Sequence, residues 1–308
     1  MTELVTEEAA AEAKPTLAAA RLTGGAALLA VLVTALWGTN PTALKIALRS
    51  LPPIGAAGLR FAIAAVGVWV WCRVSGVRVR PRAGEILWLA AIGAFFLAQI
   101  STFTLGVYWG TAGHSVVLLH TYPFFVVALA HFLIPGDRAS PGRVAAMVAA
   151  FCGVLILFLG DWGKWQGTQL LGDGVQLFSA FILGAQVVFI KHAVARIAPA
   201  RLVLWEMVVG SAGFLLYSLA FENLAGARPS IVSSGAVVYQ GIIIGTLCFT
   251  VWTRLIRRHA ASRVAIFGFV SPLVGVVLSS VVLGEPLTAT LLLSAVLVAV
   301  GIILANLR

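Results

Sequence analysis

The sequence predicts an all-α integral membrane protein, with ten transmembrane helices forming two inverted five-helix repeats around a central cavity. Three observations predict it. Of 308 residues, 60% are hydrophobic and only 10% are charged, with a mean hydropathy of +1.02, whereas soluble domains carry about 25% charge. Ten apolar runs, each close to the ~20 residues that span a bilayer core, are separated by short gaps that leave no room for a soluble domain. The second half of the chain also repeats the first.

Residues 1–23 are Ala-rich and carry Glu3, Glu7, Glu8 and Glu12. A secretory signal opens on basic residues, so this segment reads as a disordered cytoplasmic tail. The first span, 24–48, contains "LWGTNPTALK", in which Trp37 and Asn40 lie one helical turn apart as candidates for a cavity wall. Lys45 stands near the outer end of that span, where it either snorkels to the interface or meets an anionic substrate group. "SLPP" then turns the chain into span 53–73. There Arg60 lies about seven residues deep, ~10 Å at 1.5 Å per residue, where an ionisable group needs a reason to be.

The third span, 86–107, carries Phe95, Gln99, Thr102, Phe103 and Gly106 at helical spacing. Such a stripe packs helices or lines a pocket. The fourth, 112–134, holds His114, His120 and His131, with Tyr122 just before Pro123. The three histidines do not share a helical face, so no metal site is expected, and His120 is the one placed to line a cavity. "IPGDRASPG" leads into 143–160, and "LGDG" into 174–194 with Gln186 and Lys191. Lys191 snorkels or pairs with Glu206 of the next span, 200–221. Glu206 is read as that structural partner or as a protonation site. The eighth span, 232–253, repeats the polar and aromatic stripe with Thr246, Phe249, Thr250, Trp252 and Thr253. Spans 261–283, containing Pro272, and 287–307, after "LGEPL", complete the set.

The repeat is read directly from the letters. Gly38, Asn40, Lys45 and Pro53 stand over Gly184, Gln186, Lys191 and Pro199 at one constant offset. Pro123 stands over Pro272, Asp137 over Glu285 and Gly153 over Gly301. Residues 24–160 and 161–308 are therefore two five-span halves. Because five is odd, the second enters the membrane upside down, and inverted repeats of this kind place a binding site at their interface and work by alternating access. Trp37 gives way to Leu183 and "LGEP" to "PGDR" across the repeat, so features at those positions belong to one half alone. Where the first half has Lys45 and Arg60, the second has Lys191 and Glu206. The first pair therefore leaves positive charge free to attract a substrate carboxylate.

Of the 21 basic residues, Arg49, Lys164 and Arg228 fall on one side and Lys45, Arg60 and Lys191 fall within spans. All others fall on the side shared by both termini. Positive loops stay inside, so both termini are expected in the cytoplasm. The formal net charge of +10 is dispersed over these loops, which excludes a nucleic-acid-binding face. Cys72, Cys152 and Cys248 lie in apolar surroundings without a CxxC, as small buried hydrophobes rather than a disulfide or metal framework.

"WGTN…K", "LRFAIAA", the "SP…LGEPL" passage and the glycine near the end of each half, in this order over residues 30–307, resemble the drug/metabolite transporter superfamily, EamA type. Within it the chain is most similar to the YddG-type aromatic amino-acid exporters. The resemblance implies a ten-helix carrier in the bacterial cytoplasmic membrane, exporting small metabolites, above all amino acids with aromatic ones favoured. A multidrug or other metabolite exporter, or a channel, is the alternative. No cofactor is expected. The partners expected are a small-molecule substrate and the lipid bilayer, with a monomer or an oligomer both compatible with the sequence. Enzymes find no support: a Gly-x-Ser-Gly nucleophile is missing, "LGDG" has no second intramembrane Asp, and "GDWGKW" lacks the spacing of a phosphate loop.

Overall fold

The computed structural model describes residues 24–133, 141–160, 167–194, 196–258 and 266–306. The expected tail 1–23, Asp137 with its turn, and Lys164 lie outside them, as do the side chains of His131, Lys191 and Thr253. Every regular element among the described residues is helical. Among the described residues, seven helical stretches are long and apolar enough to cross a membrane, followed by two shorter apolar helices.

Helix α1 is Gly24–Ala47 and runs unbroken through Pro41. Helix α2, Pro53–Val74, starts with proline in its first turn, where the missing N–H removes no helical bond. A 3₁₀ turn at Ala83–Glu85 opens α3, Ile86–Trp109. The fourth span is not the single helix expected. Helix α4, Ala112–Leu119, stops and α5, Tyr122–Leu133, resumes after His120 and Thr121. Pro123 cannot donate to the carbonyl four residues back, and side chains occupy the neighbouring carbonyls instead. Thr121 Oγ1 donates to Leu118 O at 2.6 Å, and His120 Nδ1 lies 2.7 Å from Val116 O. Then follow α6 (Pro141–Gly160), α7 (Gln169–Ala193) and α8 (Pro199–Phe221).

The eighth span changes type in its middle. Helix α9, Ile231–Tyr239, passes into a π-helical stretch at Gln240–Cys248 before α10, Phe249–Arg258. The wider turn leaves the hydroxyl of Thr246 within 3.0 Å of Gly241 O, five residues back, and such insertions often sit at functional sites. A 3₁₀ turn at Ile266–Phe269 enters α11 (Val270–Leu283) just ahead of Pro272, and α12 (Ala289–Asn306) ends the described chain.

The most extensive helix pairs are α6 with α12, α2 with α8, α3 with α7, and α1 with α11. Next come α2 with the π-helical stretch, α5 with α7, α4 with α11, α3 with α8, and α9 with α1. Glycine permits several of the close crossings, two of which stand at matched positions of the two halves of the sequence. A Cβ on Gly38 would lie 2.5 Å from Ser271 O and 3.3 Å from Gly275 N. One on Gly184 would lie 2.7 Å from Phe125 Cβ and 3.2 Å from both Tyr122 O and Val126 N. Cys72 and Cys248 are buried, while Cys152 is exposed on α6.

Candidate functional site

The charged group most in need of explanation is Arg60. Helix α2 carries it among buried apolar residues, and it is 3% exposed. Its Nη2 reaches Thr104 Oγ1 of α3 at 3.4 Å. Its guanidinium carbon lies 4.7 Å from the ring centre of Phe61 and 5.7 Å from that of Phe103, a cation–π setting. The Nε is buried without a partner, and no carboxylate meets the guanidinium among the described residues. A buried cation so placed retains unused donors in the forked geometry that suits a carboxylate.

The backbone of Arg60 touches the π-helical stretch, since a Cβ on Gly241 would lie 2.9 Å from Arg60 O. One residue before that glycine, the Gln240 amide donates to Asn40 Oδ1 of α1 at 2.8 Å, and Gln240 Oε1 has no partner. Beside this pair, Thr39 Oγ1 and Tyr239 OH share a hydrogen bond of 2.6 Å. One helical turn away Trp37 packs edge-on against Trp252 and Phe249, with ring centres 4.9 and 5.8 Å apart. Thr250 Oγ1 turns back to Thr246 O at 2.6 Å. Three sequence-predicted residues (Trp37, Asn40 and Trp252) thus lie along one seam between α1 and the eighth span, Thr250 turns back into its own helix, and the backbone of Arg60 adjoins the seam.

The other predicted residues go elsewhere. Lys45 donates from Nζ to Val107 O at 2.8 Å, to Tyr108 O at 3.1 Å and to Gly110 O. It therefore satisfies the carbonyls that the end of α3 leaves open, a role that neither sequence reading of it foresaw. Glu206 of α8 accepts from the Gln186 amide of α7, both are buried, and Gln186 Oε1 has no partner. Gln186 is thus a partner of Glu206 among the described residues, while the expected contact with Lys191 falls on a side chain outside them. Gln99 joins α3 to α7, donating to Ser179 Oγ at 3.2 Å while that hydroxyl donates to Gln99 O at 3.0 Å. Thr102 bonds back to Ala98 O and Gln99 O at 2.8 and 2.9 Å. Phe103 is in the apolar core with Leu44 and Ala56. His120 and Tyr122 flank the α4–α5 break, with ring centres 6.5 Å apart.

Sequence reasoning missed Gln240 and Tyr239 at the seam, Thr104 at the Arg60 guanidinium, and the buried contact of His114 Nδ1 with Asp173 Oδ2 at 2.7 Å. The signal that flagged Gln99, an amide inside an apolar run, applies equally to Gln240. It also missed two carboxylates that cap helices. Glu222 accepts from Ile54 N and Gly55 N at 2.8 and 2.7 Å, and Glu285 accepts from Ala112 N and Gly113 N at 2.8 Å each.

Comparison with known proteins gives a consistent picture. The model of the EamA-like transporter family matches residues 24–159 and again 170–307. A probable amino-acid metabolite efflux pump of Escherichia coli is 28% identical over 284 residues, covering 89% of this chain and 92% of its own. Its counterpart in Salmonella typhimurium is also 28% identical, over 283 residues, with the same coverage. A probable terminal-alkyne amino-acid exporter of Streptantibioticus cattleyicolor is 24% identical, covering 90% and 92%. A solved crystal structure superposes with a TM-score of 0.70 at 22% identity over 92% of this chain and 98% of that one, a likeness of fold.

Proposed function

Because the chain belongs to the EamA-like transporter family, a family of transporters and not enzymes, we propose that it exports amino acids, aromatic ones favoured, across the bacterial cytoplasmic membrane by alternating access. The route is secondary or facilitative. The observation that carries the substrate reading is Arg60, whose buried guanidinium meets no carboxylate among the described residues and whose backbone adjoins the seam lined by Trp37, Asn40, Gln240, Phe249 and Trp252. A free amino acid supplies what this arrangement lacks: a carboxylate for the guanidinium, an ammonium for the spare Gln240 oxygen, and an aromatic side chain for the indoles. The relatives named as amino-acid efflux pumps and exporter support the same substrate class.

Two inverted five-helix halves are the reading of the architecture that best accounts for the packing. Exchanging each span with its counterpart five places on maps the α3–α7 pair onto the contact of the eighth span with α1. It maps α1–α11 onto α7 with the broken fourth span, and returns α2–α8 and α6–α12 to themselves. The glycine crossings obey the same exchange. Gly38 meets Ser271 O and Gly275 N, and Gly184 meets Tyr122 O and Val126 N, with each atom in register with its counterpart. The double match of the family model points the same way.

The test is efflux of radiolabelled phenylalanine and tryptophan from proteoliposomes with matched protein content. Arg60→Gln is expected to reduce efflux at least ~10-fold, as loss of a charged hydrogen-bonding partner does, with Arg60→Lys intermediate. Wild-type rates in both variants overturn the assignment of Arg60. Trans-stimulation by unlabelled substrate is expected of a carrier, and its absence would favour a channel.

A further inference from the structure

A groove lies between α2 and α8, away from the seam, with a cavity volume of about 400 Å³, which falls in the range of small-molecule sites. Val66 and Trp69 form one wall, and Leu204 and Val208 the other. The groove opens sideways, with Val66 63% and Trp69 47% exposed, so in a multi-pass membrane protein its mouth faces acyl chains. One end is roofed by Val79 and Arg80 of the connection after α2. That roof is fixed in place: Trp205 Nε1 donates to Val79 O at 2.9 Å, and Arg201 donates to the carbonyls of Arg78 and Arg80 at 3.5 and 3.4 Å.

The roof is also electrically one-sided. Arg73, Arg78, Arg80 and Arg82 are all exposed there. The acid nearest in sequence is Glu85, which is buried against Arg201 at 2.9 Å and accepts from Arg82 N. Arg73 stacks on Trp69 at 5.8 Å, which brings a second guanidinium to the groove wall. The same end of the bundle carries further arginines over indoles, Arg196 over Trp88 at 5.0 Å and Arg254 over Trp71 at 3.8 Å. Tryptophan and arginine in this combination mark the headgroup level of a bilayer.

We propose that the α2–α8 groove holds one anionic phospholipid, with an acyl chain between the helices and its phosphate at Arg80 and Arg73. The apolar, laterally open walls select a lipid over a soluble anion. Arg73 and Arg80, which meet no carboxylate among the described residues, select an anionic headgroup over a zwitterionic one, as basic pockets between transmembrane helices do.

The test is native mass spectrometry of the full-length protein from detergent, equilibrated with equal amounts of phosphatidylglycerol and phosphatidylcholine. Gel filtration confirms that each variant is folded. Wild type is expected to retain one phosphatidylglycerol in preference to phosphatidylcholine. Arg80→Gln and Arg73→Gln are each expected to weaken retention about fivefold, the effect of one basic residue at an anionic membrane surface. Val66→Trp, which fills the mouth from an exposed position, is expected to displace the lipid with all arginines present. Equal retention of the two lipids overturns the proposal, as does retention unchanged in Val66→Trp. Displacement by millimolar inorganic phosphate as effective as by phosphatidylglycerol overturns it in favour of a free-anion site. A dimer that Val66→Trp dissolves overturns it in favour of a second copy of the chain.

Discussion

Single carboxylates do structural work here that only three dimensions reveal. Glu285 sits in the short connection between α11 and α12, yet both its oxygens accept from the first backbone N–H groups of α4. Those donors have no helical partner of their own, and a negative charge there also complements the helix dipole. Glu222 serves the start of α2 in the same way. Glu285→Ala leaves the N–H groups of Ala112 and Gly113 buried and unpaired, and is expected to destabilise the fold by ~1–3 kcal/mol. Unfolding in mixed micelles measures this, and an unchanged midpoint would show that water replaces the carboxylate. Glu285→Gln keeps an acceptor and should lie between the two. Neither cap was legible in the sequence, because acceptor and donors are far apart along the chain. Lys45 is the converse case: the letters marked it as a buried charge, but only the fold shows that the end of α3 holds it.

At the scale of the helix, the all-helical, membrane-spanning character was legible because hydropathy over ~20 residues reports the surrounding solvent directly. What hydropathy could not report is where a run breaks without losing its apolar character. The fourth span divides at His120–Thr121 and the eighth widens into a π-helix, yet both stretches read as uninterrupted oil. Pro123 was a visible signal for the first break, while nothing read from the sequence pointed to the second. Glycine pairing was legible in part: Gly38 and Gly184 matched across the repeat, but their neighbours Ser271 and Tyr122 were not foreseen. Gly184→Leu would drive a side chain into Phe125 and the α5 backbone, and overpacking of this kind costs at least ~1–3 kcal/mol. Gly235→Leu on α9, where nothing lies within 4 Å, is expected to leave the thermal midpoint within about a degree, as surface substitutions usually do. Equal midpoints for the two variants would mean that the α5–α7 crossing is looser than described.

For the molecule as a whole, the bias of arginine and lysine toward one set of loops predicts that both termini face the cytoplasm. A green fluorescent protein fused after Arg308 is expected to fluoresce, and alkaline phosphatase fused at Gly226 to be active. The opposite pair of signals would invert the topology and, with it, the side to which the α2–α8 groove and its arginines belong. The arginine–tryptophan stacks all lie at the end where the basic loops gather. The three cysteines have a practical consequence. Two are sealed inside the bundle, and Cys152 is flanked on α6 by exposed Phe151, Val148 and Leu155, a face that meets hydrocarbon. Thiol-directed reagents attack the thiolate, which needs water to form. The unaltered chain is therefore close to silent toward maleimides, so one cysteine placed by design at the seam would be the reactive site of the molecule, and spin labels or fluorophores could follow its movements without stripping the native thiols first.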